Sequence, residues 1–379
     1  PVGSDGLVQP NGLYTFPNAS PAQITSVGFG TKSGLSAISD GAGGAFVAWV
    51  DERTPRGIYT QHMTAAFAEG WTANGIQLSN KGFPSFETAL CPDGQGGVYV
   101  AWFQRGATNA IRVPQLMRLN SAGVALWVAN VAATTQTLTN GSQLRLLTDD
   151  AGGVIVVWRD QRSDPSGDLY AQRVSREGAR LWAAAGIALC VTTGVQHDLQ
   201  AVPDGGSGSY AVWSDARSVP EQIYTQHISP FGENYWITNG FSVTGGAEGL
   251  APSLAREPVS GDLLLGWHGN YIFYIYAFFA RMNAGGTLLS THAVNPGTNV
   301  NVSTDGMDGS VLTWIEDGQT VVRAYPALGT VKFHPASLRA AARGSGPHHP
   351  LPAWAGGFTA AWLRPASALS LVPTVRVPT

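Results

Sequence analysis

Lysine is almost missing from this 379-residue chain: Lys32, Lys81 and Lys332 stand against 19 arginines. Charged residues make up only 12% of the chain and the formal net charge is −3, with no basic cluster and no acidic tail. That excludes the basic patch or stripe that capture of nucleic acid requires. There is no run of 18 apolar residues, so no helical membrane span is expected. The longest aromatic stretch, Tyr271 to Phe279, is too short for one. Catalytic signatures are missing too: no Gly-x-Ser-x-Gly, His-Glu-x-x-His or phosphate loop occurs. The Gly-Gly pairs follow Asp and lead into apolar strands, whereas a dinucleotide fingerprint would lead into a helix. No acidic loop is dense enough to argue for calcium. The expectation is no cofactor and no catalytic metal, with a structural Ca2+ left open. The adjacent pair His348-His349 sits in a Gly/Pro loop and reads as solvated, because neighbouring residues cannot share a tetrahedral metal without other ligands.

What the chain has in abundance is repetition. A phrase of the form Asp-Gly-x-Gly-Gly, an apolar run and then Trp recurs around Trp49, Trp102, Trp158, Trp213, Trp267, Trp314 and Trp362. The spacing stays between 47 and 56 residues. A period of that length marks an array of supersecondary units. Apolar residues make up 44% of the chain, enough for a large core, and the 47 glycines and 23 prolines suit many tight turns.

One unit can be read in full. Leu144–Leu147 is a first strand, and Asp149-Asp150-Ala151-Gly152-Gly153 is turn chemistry. Val154–Trp158 is a second strand with no polar alternation, so both of its faces must be covered. Arg159–Asp168 is a polar loop, Leu169–Val174 a third strand and Gly186–Leu189 an outer fourth strand. Four antiparallel strands in about 50 residues form one blade of a β-propeller. Seven units predict an all-β, seven-bladed propeller occupying 1–379 as a single domain, with 1–33 as closing strand and lead-in. The chain ends at what aligns as a third strand, Thr374–Val377. The phrase Asn11–Thr15 resembles the fourth-strand phrases Asn74–Leu78 and Asn239–Val243. The N-terminal strand is therefore expected to complete the last blade, with Leu13 and Val375 in adjacent strands. Cys91 falls on the first strand of unit 2 and Cys190 on the last strand of unit 3, too far apart for a disulfide. A second Trp series, Trp71, Trp127, Trp182 and Trp236, follows the third strand in units 1 to 4 and then fades.

The phrases Ile58-Tyr59-Thr60-Gln61-His62, Leu169-Tyr170-Ala171-Gln172-Arg173 and Ile223-Tyr224-Thr225-Gln226-His227 complete the repeat. Together with the Trp phrases they resemble the units of bacterial secreted or cell-surface β-propeller proteins. The resemblance covers nearly the whole chain and implies a fold and an extracellular, cell-surface or periplasmic location. It implies no activity, because fold does not carry function.

Candidate site residues fall in two groups. The phrase after Trp gives the pairs Asp51 and Arg53, Asp160 and Arg162, and Asp215 and Arg217, with Gln104 and Arg105 in unit 2. All lie in the loop after the second strand and should share one face of the ring. They read either as a charged binding face or, since they recur, as braces between adjacent blades. Unit 5 breaks the pattern with His268-Gly269-Asn270, followed by Tyr271, Phe273, Tyr274, Tyr276 and Phe278. Exposed, these rings would form a platform for a protein or a glycan; buried, they are interblade packing. His62 and His227 hold equivalent repeat positions and cannot share a site. No catalytic residue is expected. The favoured reading is a non-catalytic recognition or assembly module for a protein partner or a glycan. A lectin with sites recurring between blades, and a polysaccharide-cleaving enzyme with one asymmetric pocket at the channel mouth, are the competing readings.

Overall fold

A strand that is apolar on both faces needs a covering neighbour on each side, and the second strand of the repeat meets that condition. In Ala45–Asp51 and Ser209–Asp215 every residue is buried. The computed structural model describes residues 32–325 apart from 67, 80–86, 106–111, 133–142, 272–273, 305–309 and 317–318, with backbone alone at 105, 112, 271, 295, 319–320 and 322–325. Outside that span it describes strand backbone at 7–8, 14–15, 22–23, 338–340, 349–353, 357–363, 369–371 and 375–376.

The strands form successive antiparallel sheets, each a meander running from an inner to an outer strand. Sheet 1 contains Lys32–Ser39, Ala45–Asp51, Gly57–Met63 and Ile76–Gln77. Sheet 2 contains Thr88–Pro92, Val98–Arg105, Arg112–Leu119 and Ala125–Asn130. Sheet 3 contains Leu144–Thr148, Val154–Asp160, Asp168–Val174 and Ile187–Cys190, as read from the sequence to within a residue or two. Sheet 4 contains Gln196–Pro203, Ser209–Asp215, Gln222–Ile228 and Phe241–Ser242. Sheet 5 contains Leu250–Arg256, Leu263–Tyr271, Tyr274–Met282 and Leu288–Pro296. Sheet 6 contains Thr298–Thr304, Ser310–Glu316, Gln319–Tyr325 and Leu338–Ala340. From sheet 1 to sheet 6, each inner strand lies against the inner strand of the next sheet. No helix occurs among the described residues. This is a β-propeller.

The Asp of each turn phrase fixes the hairpin before it. Asp149 Oδ1 accepts from the amides of Ala151 (2.9 Å) and Gly153 (2.7 Å), and Asp40, Asp93 and Asp204 do the same in their units. The second oxygen is taken by a basic side chain near the end of the third strand: His62 on Asp40, Arg118 on Asp93, Arg173 on Asp149 and His227 on Asp204. His62 and His227 thus occupy equivalent places in separate sheets. These carboxylates are committed to the turn and its basic partner.

The core lies between sheets. Trp102 packs with Phe46, Val50 and Ile58 of sheet 1, Trp158 with Tyr99 and Phe103 of sheet 2, and Trp213 with Ile155 and Leu169 of sheet 3. Trp267 and Trp314 repeat the arrangement against sheets 4 and 5. The second Trp series links sheets at the outer rim. The indole N–H of Trp71 donates to Ser121 O (2.9 Å), that of Trp127 to Arg176 O (2.8 Å) and that of Trp182 to Pro230 O (3.0 Å), always in the turn after the next sheet's third strand. Cys91 and Cys190 are buried and free.

The last sheet differs from expectation in its strands. His349–Ala353, Gly357–Leu363 and Leu369–Leu371 run in order, and Ala22–Gln23 pairs outside Leu369–Leu371. Val375–Arg376 instead pairs a second time with Gly357–Leu363, with Val375 opposite Phe358. The phrase Asn11–Thr15 is not the covering strand, because Tyr14–Thr15 satisfies its backbone against Leu7–Val8. Leu13 and the Trp362 side chain lie outside the described residues.

Gly178 makes the rim testable. Its φ is +91°, and a Cβ there would stand 3.0 Å from the Trp127 ring. Gly178→Ala should lower stability by about 1–3 kcal/mol in denaturant unfolding, through backbone strain and overpacking together. A loss below a few tenths of a kcal/mol would mean that the Trp127 contact is not formed.

Candidate functional site

The loop phrase that stands out in the sequence builds a closed knot. Asp51 is fully buried; its Oδ2 accepts from Trp49 Nε1 (2.9 Å) and Arg53 Nε (2.8 Å), and its Oδ1 from the Arg53 amide (2.9 Å). The Arg53 guanidinium lies 3.9 Å from the centre of the Tyr59 ring and donates to Asn74 O. Sheet 3 repeats the knot. Asp160 accepts from Trp158 Nε1, from the amide of Arg162 and from its Nε at 2.8 Å. The guanidinium of Arg162 lies 3.9 Å from the centre of the Tyr170 ring and donates to Ala185 O at 2.6 Å. In sheet 4 Asp215 accepts from Trp213 Nε1 and Arg217 Nε, and Arg217 covers Tyr224 and donates to Asn239 O. In sheet 2 Gln104 substitutes as acceptor, 3.3 Å from Trp102 Nε1; the Arg105 side chain lies outside the described residues.

These contacts show what the phrase does within the scaffold. Among Asp51, Arg53, Asp160, Arg162, Asp215 and Arg217, each carboxylate is occupied by its own Trp and Arg. Each guanidinium in turn is occupied by that carboxylate, a carbonyl of the turn before the fourth strand and a tyrosine ring. These residues tie each sheet from within, from the second strand to the turn before the fourth, and in sheet 4 Arg217 Nη2 also reaches Cys190 Sγ of sheet 3 at 3.0 Å, a brace between adjacent sheets. Burial alone would raise the Asp51 carboxyl, but the donors from Trp49 and Arg53 outweigh it and hold it below the ordinary value.

The aromatic stretch of unit 5 divides. Phe278, partly buried, stacks on Trp267 at 5.7 Å and packs against the core between sheets 4 and 5, and buried Phe279 packs towards sheet 6. Tyr276 is half-buried, and Tyr274 at the hairpin tip is 65% exposed beside exposed Ile275. The side chains of Tyr271 and Phe273 lie outside the described residues. Asn270 is exposed, with its amide donating to Glu248.

A site that the sequence reading missed lies on the inner strands. A cavity of about 550 Å³ runs along the channel between the inner strands of sheets 1 to 6. Its wall carries Glu87, Arg145, Asp198, Gln200, Asn299 and Asn301 where purely packing strands would be apolar. The backbone explains how they arrive there. In sheets 1, 4, 5 and 6 the inner strand bulges, with two residues opposite the core Trp: Gly34-Leu35, Asp198-Leu199, Ala251-Pro252 and Asn299-Val300. The first residue of each bulge has φ between +49° and +57° and lines the cavity. A bulge of this kind re-aims a side chain, and glycine is its natural occupant. Only sheet 1 has glycine; Asp, Ala and Asn accept the strain in the others. Such strain persists where the surrounding structure holds it, and it concentrates at functional sites.

Charges around the cavity are arranged asymmetrically. Arg145 Nη1 lies 3.2 Å from Glu87 Oε1, and Arg145 Nε donates to Gln200 Oε1 at 3.2 Å. Glu87 also accepts from the Leu144 amide, yet burial pushes its carboxyl above the ordinary value. Asp198 goes the other way. Its hydrogen bond from His197 Nδ1 (2.9 Å), supported by the charges of His197 and Arg145, holds it low. His197 bridges on to Glu221 through Nε2 at 3.0 Å, and this pair of carboxylates raises its own pKa, the bond to Asp198 contributing most. His268 stands nearby, lowered by burial against the opposing charges of Asp198 and Glu248, with Nδ1 buried and unpartnered. Of the residues singled out from the sequence, His268 alone belongs to this neighbourhood. The signal that could have revealed the others was the polar residues within short inner strands. No cluster of three or more His, Cys, Asp or Glu able to hold a metal occurs among the described residues.

No family model and no curated protein matches the chain. Among solved structures it is similar to the α-L-arabinofuranosidase of Fusarium graminearum, at 11% identity over 77% of this chain and 93% of that one, with a TM-score of 0.50. It is also similar to the β-propeller domain of the trilobed protease of Pyrococcus furiosus, at 8% identity over 93% and 97%, with a TM-score of 0.49. A fucose-specific lectin from Aleuria aurantia aligns at 11% identity over 83% and 100%, with a TM-score of 0.42. At these identities the likeness concerns the fold alone.

The buried carboxylates give two stability tests. Arg217→Leu strands fully buried Asp215 without its counter-charge and should cost about 3–5 kcal/mol in denaturant unfolding; a cost under 1 kcal/mol would deny the knot. Asp168, fully buried with Oδ2 unpartnered, is raised by desolvation to about 6. Its ionisation is easier in the unfolded chain, so stability falls as pH rises from about 4 to about 6 and stays low above that. Asp168→Asn should recover about 1–3 kcal/mol at pH 7 and nothing at pH 3.5. Equal effects at both pH values would contradict the assignment.

Proposed function

We propose that this chain is a single seven-bladed propeller that recognises a glycan in its central cavity, outside the cytoplasm or at the cell surface. The observation that carries the reading is the polar wall of Glu87, Arg145, Asp198, Gln200, Asn299 and Asn301 around one asymmetric cavity. Alternating donors and acceptors on a water-accessible wall suit a ligand rich in hydroxyl groups. Arg145 is already balanced by Glu87, which leaves little excess positive charge for an anionic ligand. Seven blades and ring closure are supported by the neighbours of His349–Ala353, which lies against Thr298–Thr304 on one side and Lys32–Ser39 on the other. Ala22–Gln23 at the outer edge of that sheet supports closure by the N-terminal part of the chain. Location outside the cytoplasm rests on the resemblance of the repeat phrases to secreted propellers. The Fusarium arabinofuranosidase, similar in fold, is described in complex with arabinobiose.

A protein-assembly role is the second reading, favoured by exposed Tyr274 and Ile275 at a hairpin tip. A glycan array followed by calorimetry separates the two. The recognition reading expects one sugar class to bind, and Gln200→Ala and Asn301→Ala each to weaken it roughly tenfold through one lost hydrogen bond. Undiminished binding in both variants, with loss in Tyr274→Ala, would move the site to the rim. Binding to no sugar would reject the reading.

A further inference from the structure

We infer that the glycan held in this cavity carries a free, positively charged amino group, and that this group docks on Asp198. The inference deepens the glycan reading above and rests on it. Four inner strands each present one bulge residue to the cavity: Gly34, Asp198, Ala251 and Asn299, all with φ between +49° and +57°. The repeat thus offers four equivalent places on the wall, and only one of them holds a charge. That carboxylate is open to a ligand. Its Oδ2 accepts from His197 Nδ1 at 2.9 Å and from Ser214 Oγ at 3.5 Å. No described residue donates to its Oδ1, and the side chain is 40% exposed.

The charge of Asp198 is not cancelled by its surroundings. His197 lies between two carboxylates, 2.9 Å from Asp198 and 3.0 Å from Glu221. One imidazole carries a single positive charge at most, so with both carboxylates ionised the group stays negative in either state of the ring. Of these three side chains, Asp198 alone lines the cavity. His268 adds no compensating charge, because burial favours its neutral form. The other two charges of the described wall meet each other, with Arg145 bound to Glu87 at 3.2 Å. One carboxylate oxygen without a cation therefore faces the cavity, fixed by His197 from behind. The group that matches it is a charged donor, and a hydrogen bond of that kind is stronger than one from a neutral hydroxyl or amide. Gln200, Asn299 and Asn301 on the same wall offer amide donors and acceptors for the hydroxyls around it. A primary ammonium set among ring hydroxyls is an amino sugar in its unacetylated form.

The test is calorimetry on the intact chain with oligosaccharides of glucosamine, N-acetylglucosamine and glucose, and with the matching galactose series. Within a series the sugars differ only in bearing an amine, an acetamide or a hydroxyl. At a pH below the amine's own pKa, the amine form of one series should bind at least about tenfold more tightly than its two neutral forms. Added salt should erode that preference and leave the neutral forms unmoved. Asp198→Asn should bind all three forms alike. Asparagine fits this backbone, since Asn299 holds the equivalent bulge at φ +52°, and the salt series on the unaltered chain gives a readout that needs no variant. Amine and neutral forms bound equally by the unaltered chain, or binding only to sugars without an amine, would overturn the inference and leave recognition intact. Equal loss of all three forms in Asp198→Asn would mean that the carboxylate only holds the wall, and would overturn it too. Binding to no sugar, in these series or on the array, would remove the recognition reading itself.

Discussion

Burial of one indole in each second strand of sheets 1 to 6 is the constraint on which the rest of this propeller depends. The ring fills the gap to the preceding sheet, and a large aromatic is the most effective way to exclude water from such a gap. Its N–H must then be satisfied away from water, since an unpaired buried donor is costly. The residue two places on supplies the acceptor: Asp51, Asp160 and Asp215 in three units, Gln104 in another and Glu316 in sheet 6. Where the acceptor is Asp, a buried carboxylate requires a counter-charge. Arg53, Arg162 and Arg217, two residues further on, provide it while stacking on a tyrosine of the third strand. The whole phrase follows from that single buried ring.

The same indole marks where the cavity residues enter. In four sheets the inner-strand bulge lies directly opposite it, so two residues face one Trp and the first of them turns into the channel. In sheets 2 and 3 the inner strand begins opposite the Trp without a bulge, at Thr88 and Leu144. The channel is therefore uneven although its scaffold repeats. Glu87 and Arg145 come from the unbulged sheets, and Asp198 and Asn299 from bulged ones.

The fold was legible because packing recurs. Trp spacing, apolar runs covered on both faces and Asp-Gly turns each report a repeated physical need, and sheet 3 matches its sequence reading strand for strand. The closing segment was misplaced because Asn11–Thr15 and Ala22–Gln23 are both short and extended, and similarity of phrase does not decide pairing. The site was largely illegible for the opposite reason. Asp51, Arg53 and their equivalents such as Asp160 and Arg162 are charged and conspicuous in the sequence but satisfy one another. Asp198 and Asn299 occur once each, inside strands whose alternation the bulges interrupt. A two-residue period cannot be followed through a bulge, so the direction of these side chains emerges only in three dimensions. His268 stands out in the sequence because it breaks the repeat, which is the property it shares with the cavity residues.

The most direct test of recognition at the channel is a crystal structure of the chain with an oligosaccharide that it retains. The account predicts the sugar within the cavity, in hydrogen-bond contact with Asp198 or Arg145 and bounded by the bulges at Gly34 and Asn299. A sugar lodged repeatedly between neighbouring sheets, or on the hairpin tip at Tyr274 with the channel empty, would contradict it.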